Sequence, residues 1–147
     1  MTRENGAAKG MAMSVLMESI IRSAYTQRSP GDLLPLQWSI LRYLHGCNAQ
    51  HASISYLARF LGLTHAPISR SVSTLKKRDL VKSVQTPAAA RGFALSLTQK
   101  GKIVLQDDPL KRVASAIGFL PEEQISCMAQ GIEHLILELN ATREIPK

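Results

Sequence analysis

His65, Ser69, Ser73 and Lys77 recur every four residues, with Ala66 and Arg70 beside them, so a helix over this stretch carries them all on one face. Ile68, Val72 and Leu75, at i, i+4 and i+7, fall on the opposite face as a buried stripe. Short hydroxyls and a guanidinium in that arrangement suit hydrogen bonding and ion pairing with a polyanion. Arg70 is the first candidate to read a base edge or hold a phosphate, because a guanidinium pairs bidentately with guanine. Ser69 and Ser73 are short donors suited to either target. The bland alternative for such a face is plain solvent exposure.

The surrounding residues predict how that helix is held. Thr64 stands where an N-cap belongs, and Pro67 falls in the first helical turn, where its missing N–H costs nothing. Upstream, Ser53 is a credible N-cap for a helix running to Phe60 or Leu61 that buries Ile54, Leu57, Ala58 and Leu61. Gly62 lies between the two helices, completing a helix-turn-helix pattern. Downstream, Leu80-Val81 and residues 93 to 97 read as short strands, the second alternating Phe93, Leu95 and Leu97 against Ala94 and Ser96. Residues 86 to 92, small and flexible, should protrude between them and carry Arg91 at the tip. This order is the plan of a winged helix-turn-helix, which sets one helix in the major groove of double-stranded DNA and a loop alongside. On that plan Ser53, Thr64 and His65 join Ser69, Arg70, Ser73, Lys77 and Arg91 as candidate DNA contacts. Lys76, Lys77 and Arg78 also complement the helix dipole at its C-terminal end.

The distribution of charge agrees. Residues 51–102 carry nine Lys or Arg against Asp79 alone, whereas residues 103–147 carry four against seven acids. The formal net charge of +7 is therefore concentrated on the suspected DNA-binding module, where neutralised phosphates release condensed counterions. At 147 residues the chain is expected to be a single domain, mainly α with a small β-hairpin wing (α+β). Aromatic residues make up only 5%, so its core is built from aliphatic side chains.

Outside the module, residues 1–10 are polar and read as a frayed end. Residues 11 to 27 read as a helix with Val15, Leu16, Ile20 and Tyr25 near helical spacing, closed by a turn at Ser29-Pro30-Gly31-Asp32. Residues 36 to 44 form a second helix with Leu36, Ile40, Leu41 and Leu44 on one face and His45-Gly46 as its exit. Thr98 caps a helix to about residue 106, which resumes past Pro109. Pro121-Glu122-Glu123 opens a last helix carrying Ile125, Met128, Ile132, Leu135, Ile136 and Leu139. The apolar faces of the first and last helices need a partner, and pairing between two copies of the chain is the economical solution. The expected layout is a winged lobe over residues 34–101, with residues 11–30 and 102–142 as dimerisation helices.

The segments LPLQWSILRYL, ISYLARFLGLTHAPISRSVSTLKKRDLV and RGFALSLTQKG resemble the MarR family of bacterial transcriptional regulators. The last is the most specific, a strand ending in Leu-Thr-x-Lys-Gly after a basic wing. The resemblance implies a homodimer on a pseudo-palindromic operator, a repressor, with Arg91 entering or skirting the minor groove. It also implies release by a small aromatic or phenolic effector in a cleft between dimer arm and DNA-binding lobe, for which Trp38, Arg42 and His45 are candidate lining residues. Two departures stand out. Ala89 occupies the place of the family's usual wing Asp, leaving Arg91 without an acidic partner. Asp79 stands where the family tends to have Gly, a mild change because Asp tolerates left-handed backbone.

Other function classes fare worse. No paired carboxylates, nucleophile–base set, Gly-rich phosphate loop or cofactor motif occurs in a plausible context, so an enzyme is not expected. His45, His51, His65 and His134 lack metal-ligand spacing. Cys47 and Cys127 fit neither a disulfide framework nor a zinc site; they leave open a redox-responsive regulator, although nothing basic flanks Cys127. No apolar run reaches the roughly 20 residues of a membrane span, which points to a cytoplasmic protein. The remaining alternatives are a winged-helix adaptor for protein partners and a nonspecific architectural DNA binder.

Overall fold

Ile40, Leu41, Leu57, Ile68 and Leu75 are wholly enclosed, and all five lie on the helical stripes that the sequence predicts. The computed structural model describes residues 2–26 and 31–143. Among them the chain runs α1 (Thr2–Ala24), α2 (Pro35–Gly46), a 3-10 turn (Ala49–His51), α3 (Ile54–Leu61), α4 (His65–Lys77), β1 (Val81–Gln85), β2 (Phe93–Leu97), α5 (Gln99–Val104), a second 3-10 turn (Leu105–Asp107), α6 (Leu110–Gly118) and α7 (Glu122–Arg143). These group into a lobe, Tyr25–Asp108, and a helical unit formed by the two ends of the chain. Residues 102–108, expected among the dimerisation helices, group with the lobe.

Within the lobe, α2 packs on α4 and β2, and α3 packs on α4. Local chemistry sets the element ends. The Gln37 side chain, itself buried, accepts from the Leu34 N–H at 2.9 Å and satisfies one orphan donor at the start of α2. Ser53 caps α3, its Oγ accepting from the Tyr56 N–H at 3.3 Å. Gly62, at φ 64°, ends α3 in the left-handed conformation. Thr64 occupies the N-cap position of α4, but its hydroxyl makes no capping bond.

The hairpin is antiparallel, with Val81 opposite Leu97 and Gln85 opposite Phe93. The predicted alternation on β2 is corrected at its wing end, where Phe93 is 60% exposed and Ala94 is buried. Ala52 flanks β2 on its free edge, accepting from the Leu95 N–H at 2.8 Å. Ala94 and Leu95 are covered together at that point, while Phe93 lies beyond the core. The wing turn is also more ordered than its composition suggests. Thr86 donates to the Gly92 carbonyl, Ala89 to the Thr86 carbonyl and Gly92 to the Ala89 carbonyl, and Ala89 packs on the edge of the core.

In the helical unit, α1 begins at Thr2, so the segment expected to fray is helical; Ala7, Ala8 and Lys9 are strong helix formers and no proline interrupts them. The helix closes at Ala24, and Gln27 and the predicted Ser29-Pro30 turn lie outside the described residues. α6 packs on α1. Val15, Leu16 and Ile20 on α1 and Ile132, Leu135, Ile136 and Leu139 on α7 are all exposed in the single chain.

Candidate nucleic-acid interface

The helix that carries the candidate contacts is fixed at its far end by the Leu-Thr-x-Lys-Gly segment. Asp79 follows α4 at φ 59°, letting Leu80 turn back and donate to the Leu75 carbonyl at 2.9 Å. Thr98 then braces that turn: its N–H donates to the Leu80 carbonyl at 3.1 Å and its hydroxyl to the Asp79 carbonyl at 2.7 Å. The same hydroxyl accepts from the Gly101 N–H at 2.9 Å and caps α5. Lys100 Nζ donates to the Arg78 carbonyl at 3.0 Å, neutralising the negative end of the α4 dipole. Gly101 lies against the Leu80 carbonyl with no room for a Cβ. The motif is thus a clasp on the C-terminus of α4.

At the opposite end of α4, the 3-10 turn, the start of α3, the first turns of α4 and the wing enclose a cleft of about 810 Å³. Ser53, His65, Ser69 and Arg91, four of the predicted contacts, line it together. Arg70, Ser73, Lys77 and Thr64 are exposed but do not line this cleft. The sequence reading missed Ser83 and Tyr56, which also line it, and undervalued Lys76 there. Lys76 Nζ donates to Ser83 Oγ at 2.7 Å, linking α4 to the first wing strand. Tyr56 packs between His51, at a ring-centroid distance of 4.7 Å, and the Arg59 guanidinium, 4.6 Å from its ring. Among the described residues Arg91 forms no ion pair.

The three residues predicted to line an effector cleft follow one another at i, i+4 and i+7 on α2. Trp38 is a core residue, His45 is exposed, and Arg42 lines a separate groove with Tyr43 and Phe60. Arg42 Nη1 donates to Asp108 Oδ1 at 2.7 Å and its Nη2 to the Tyr25 hydroxyl at 3.1 Å. Burial works against its charge, but the bonds to Tyr25 and Asp108 outweigh this and hold its pKa above the ordinary arginine value. Burial pushes the Cys47 thiol up, away from the reactive thiolate, while Cys127 is exposed on α7. Among the described residues no helix is long and apolar enough to cross a membrane.

Residues 31–92 match the model of the MarR family. No curated protein matches the chain by sequence. Among solved structures, a MarR family protein from Bacillus stearothermophilus is 14% identical, with 95% of this chain and 99% of that one covered at a TM-score of 0.73. A MarR/EmrR family transcriptional regulator from Acinetobacter sp. ADP1 is 17% identical, with 93% and 97% covered at 0.69. CouR from Rhodococcus jostii RHA1, bound to p-coumaroyl-CoA, is 22% identical, with 86% and 90% covered at 0.67. The fold is shared along nearly the whole chain, and residues 31–92, within its winged lobe, match the MarR family.

Proposed function

We propose that this protein is a sequence-specific DNA-binding transcriptional regulator, acting as a repressor on a pseudo-palindromic operator as a homodimer and released by a small-molecule ligand. The observation that carries the reading is the convergence of Ser53, His65, Ser69 and Arg91 on one cleft beside the exposed Arg70 face of α4. It lies in the stretch that holds nine basic residues against one acid. Two copies are invoked because one recognition helix discriminates poorly, whereas two spaced about one DNA turn apart roughly add their free energies. The exposed apolar residues of α1 and α7 are consistent with that pairing. CouR, a structural neighbour bound to p-coumaroyl-CoA, supports small-molecule control as a theme of the fold.

The test is selection of genomic fragments by the purified protein at near-physiological salt, followed by titration of the enriched site. An inverted repeat preferred about a thousandfold or more over random DNA is expected. Binding without an enriched motif would replace this reading with an architectural role, and absence of binding would favour a protein-interaction adaptor. Arg70→Ala should weaken operator binding by about 1–3 kcal/mol while changing random-DNA binding far less. Equal loss on both would reduce Arg70 to a phosphate clamp.

A further inference from the structure

A groove of about 470 Å³ lies in the lobe, lined from α2 and the C-terminal turn of α3, a volume within the range of small-molecule sites. Tyr43, Phe60 and Leu61 supply its apolar walls, and Ser39, Arg42 and Cys47 its polar edge. The Tyr43 and Phe60 rings meet at 4.8 Å in a tilted pair, and Phe60 remains 68% exposed, a large aromatic surface open to an occupant. The Tyr43 hydroxyl is already engaged, donating to the His51 carbonyl at 3.0 Å.

Arg42 is the one cation among the residues lining the groove, and its charge is already met. Asp108, whose side chain is only 10% exposed, accepts from it at 2.7 Å. Tyr25 and Ser39 take further bonds at 3.1 and 3.4 Å. A guanidinium has five N–H donors, so hydrogen-bonding capacity remains even though no net charge does. We propose that this groove binds a neutral small molecule, an aromatic or similarly apolar body bearing a carbonyl, amide or ether acceptor, and that it discriminates against carboxylates. A neutral acceptor gains a charge-assisted hydrogen bond from Arg42. A carboxylate would bring a second negative charge beside Asp108 in a half-buried setting, and must either break the existing pair or remain uncompensated. Cys47 adds no opposing charge, because its burial keeps the thiol protonated.

The site is wired to the rest of the lobe. Tyr25 and Asp108 are the lobe's first and last residues, where the chain enters and leaves it. Arg42 therefore ties both ends to α2, which packs on α4. A ligand that draws on Arg42 acts on all three. As a description of the effector this rests on the regulatory reading above; as a statement about binding it is tested without DNA.

The test is titration of the full-length protein with benzamide and, separately, benzoate at pH 7, followed by amide NMR shifts. Benzamide should shift Tyr43, Cys47, Phe60 and Leu61 and bind at least about fivefold more tightly than benzoate, the scale of one uncompensated, partly screened charge. Asp108→Asn should invert the order by freeing the guanidinium. Phe60→Ala, at a position already exposed, should weaken benzamide without loss of fold. Tighter benzoate binding to the unmodified protein, or the absence of saturable benzamide shifts in the groove, would overturn the proposal even if Asp108→Asn fails to fold. Benzamide binding in a protein that selects no DNA would uphold this site and sink the regulatory reading alone.

Discussion

Gly101 is glycine because the Leu80 carbonyl occupies the space that a Cβ would need. Backbone sits opposite, so no side chain can swing aside. Gly101→Ala should cost about 1–3 kcal/mol, the usual range for overpacking, read as a lowered urea midpoint at unchanged slope. An unchanged midpoint would mean that the clasp is looser than its geometry. Asp79 gives the opposite case. It holds φ 59° without the freedom of glycine, and its only role in the clasp described above is through its backbone carbonyl. Asp79→Gly should therefore be stabilising by up to about 1 kcal/mol, and Asp79→Val destabilising by about as much or more, measured in the same way. The left-handed position at Asp79 was legible through the resemblance, which places Gly there, and Asp tolerates that backbone. Arg42 was not. Its role depends on Asp108, 66 residues away, and a bare arginine near a helix exit carries no mark of that partner. Trp38 carries a related ambiguity in the sequence: an aromatic residue suits a ligand cleft and a core equally well, and its place in the core comes from packing.

The elements of the winged lobe were legible where their limits are local. Ser53, Gly62 and Pro67 bound α3 and α4, each within a turn of its own position, while Thr64 holds the N-cap place of α4 without a capping bond. The wing strand β2 was placed correctly and Leu95 and Leu97 are buried as expected, but Ala94 is buried too, beside the Leu95 N–H that Ala52 accepts at the free edge. Nothing in the alternation of five residues encodes that neighbour. The cleft was half legible: helical spacing put His65 and Ser69 together, while Ser83 and Tyr56 joined through hairpin register and the placement of α3. The clasp gives the element-level prediction. Thr98 both caps α5 and braces the turn after α4, so Thr98→Ala removes two hydrogen bonds from one hydroxyl. A loss of about 1–2 kcal/mol is expected, with Thr98→Ser retaining most of it. Amide exchange at Gly101 should accelerate in the alanine variant and much less in the serine variant. Equal acceleration in both would assign the effect to the lost methyl rather than to the hydroxyl.

At the scale of the whole molecule the two chain ends carry an apolar surface that the single copy leaves open. Leu16 is 63% exposed, Ile136 52% and Leu139 64%, exposed aliphatics of the kind that association covers. Acidic residues exceed basic ones beyond residue 102, so this part of the chain lacks the polyanion-binding character of the lobe. If two copies close these faces together, folding and association are linked, and the melting temperature must rise with protein concentration. Ile136→Glu tests the point cleanly, because a residue half exposed in the single chain has little packing of its own to lose. A glutamate pair brought together across a symmetric interface repels and is desolvated, so the variant should sediment at the mass of one chain while the unmodified protein sediments at two. Its helical content should be retained at high concentration, and its preference for an intact inverted repeat over a single half-site should vanish, because the gain comes from joining two recognition helices. A variant that stays dimeric and keeps that preference would place the interface elsewhere, and the open faces of α1 and α7 would then need a different partner.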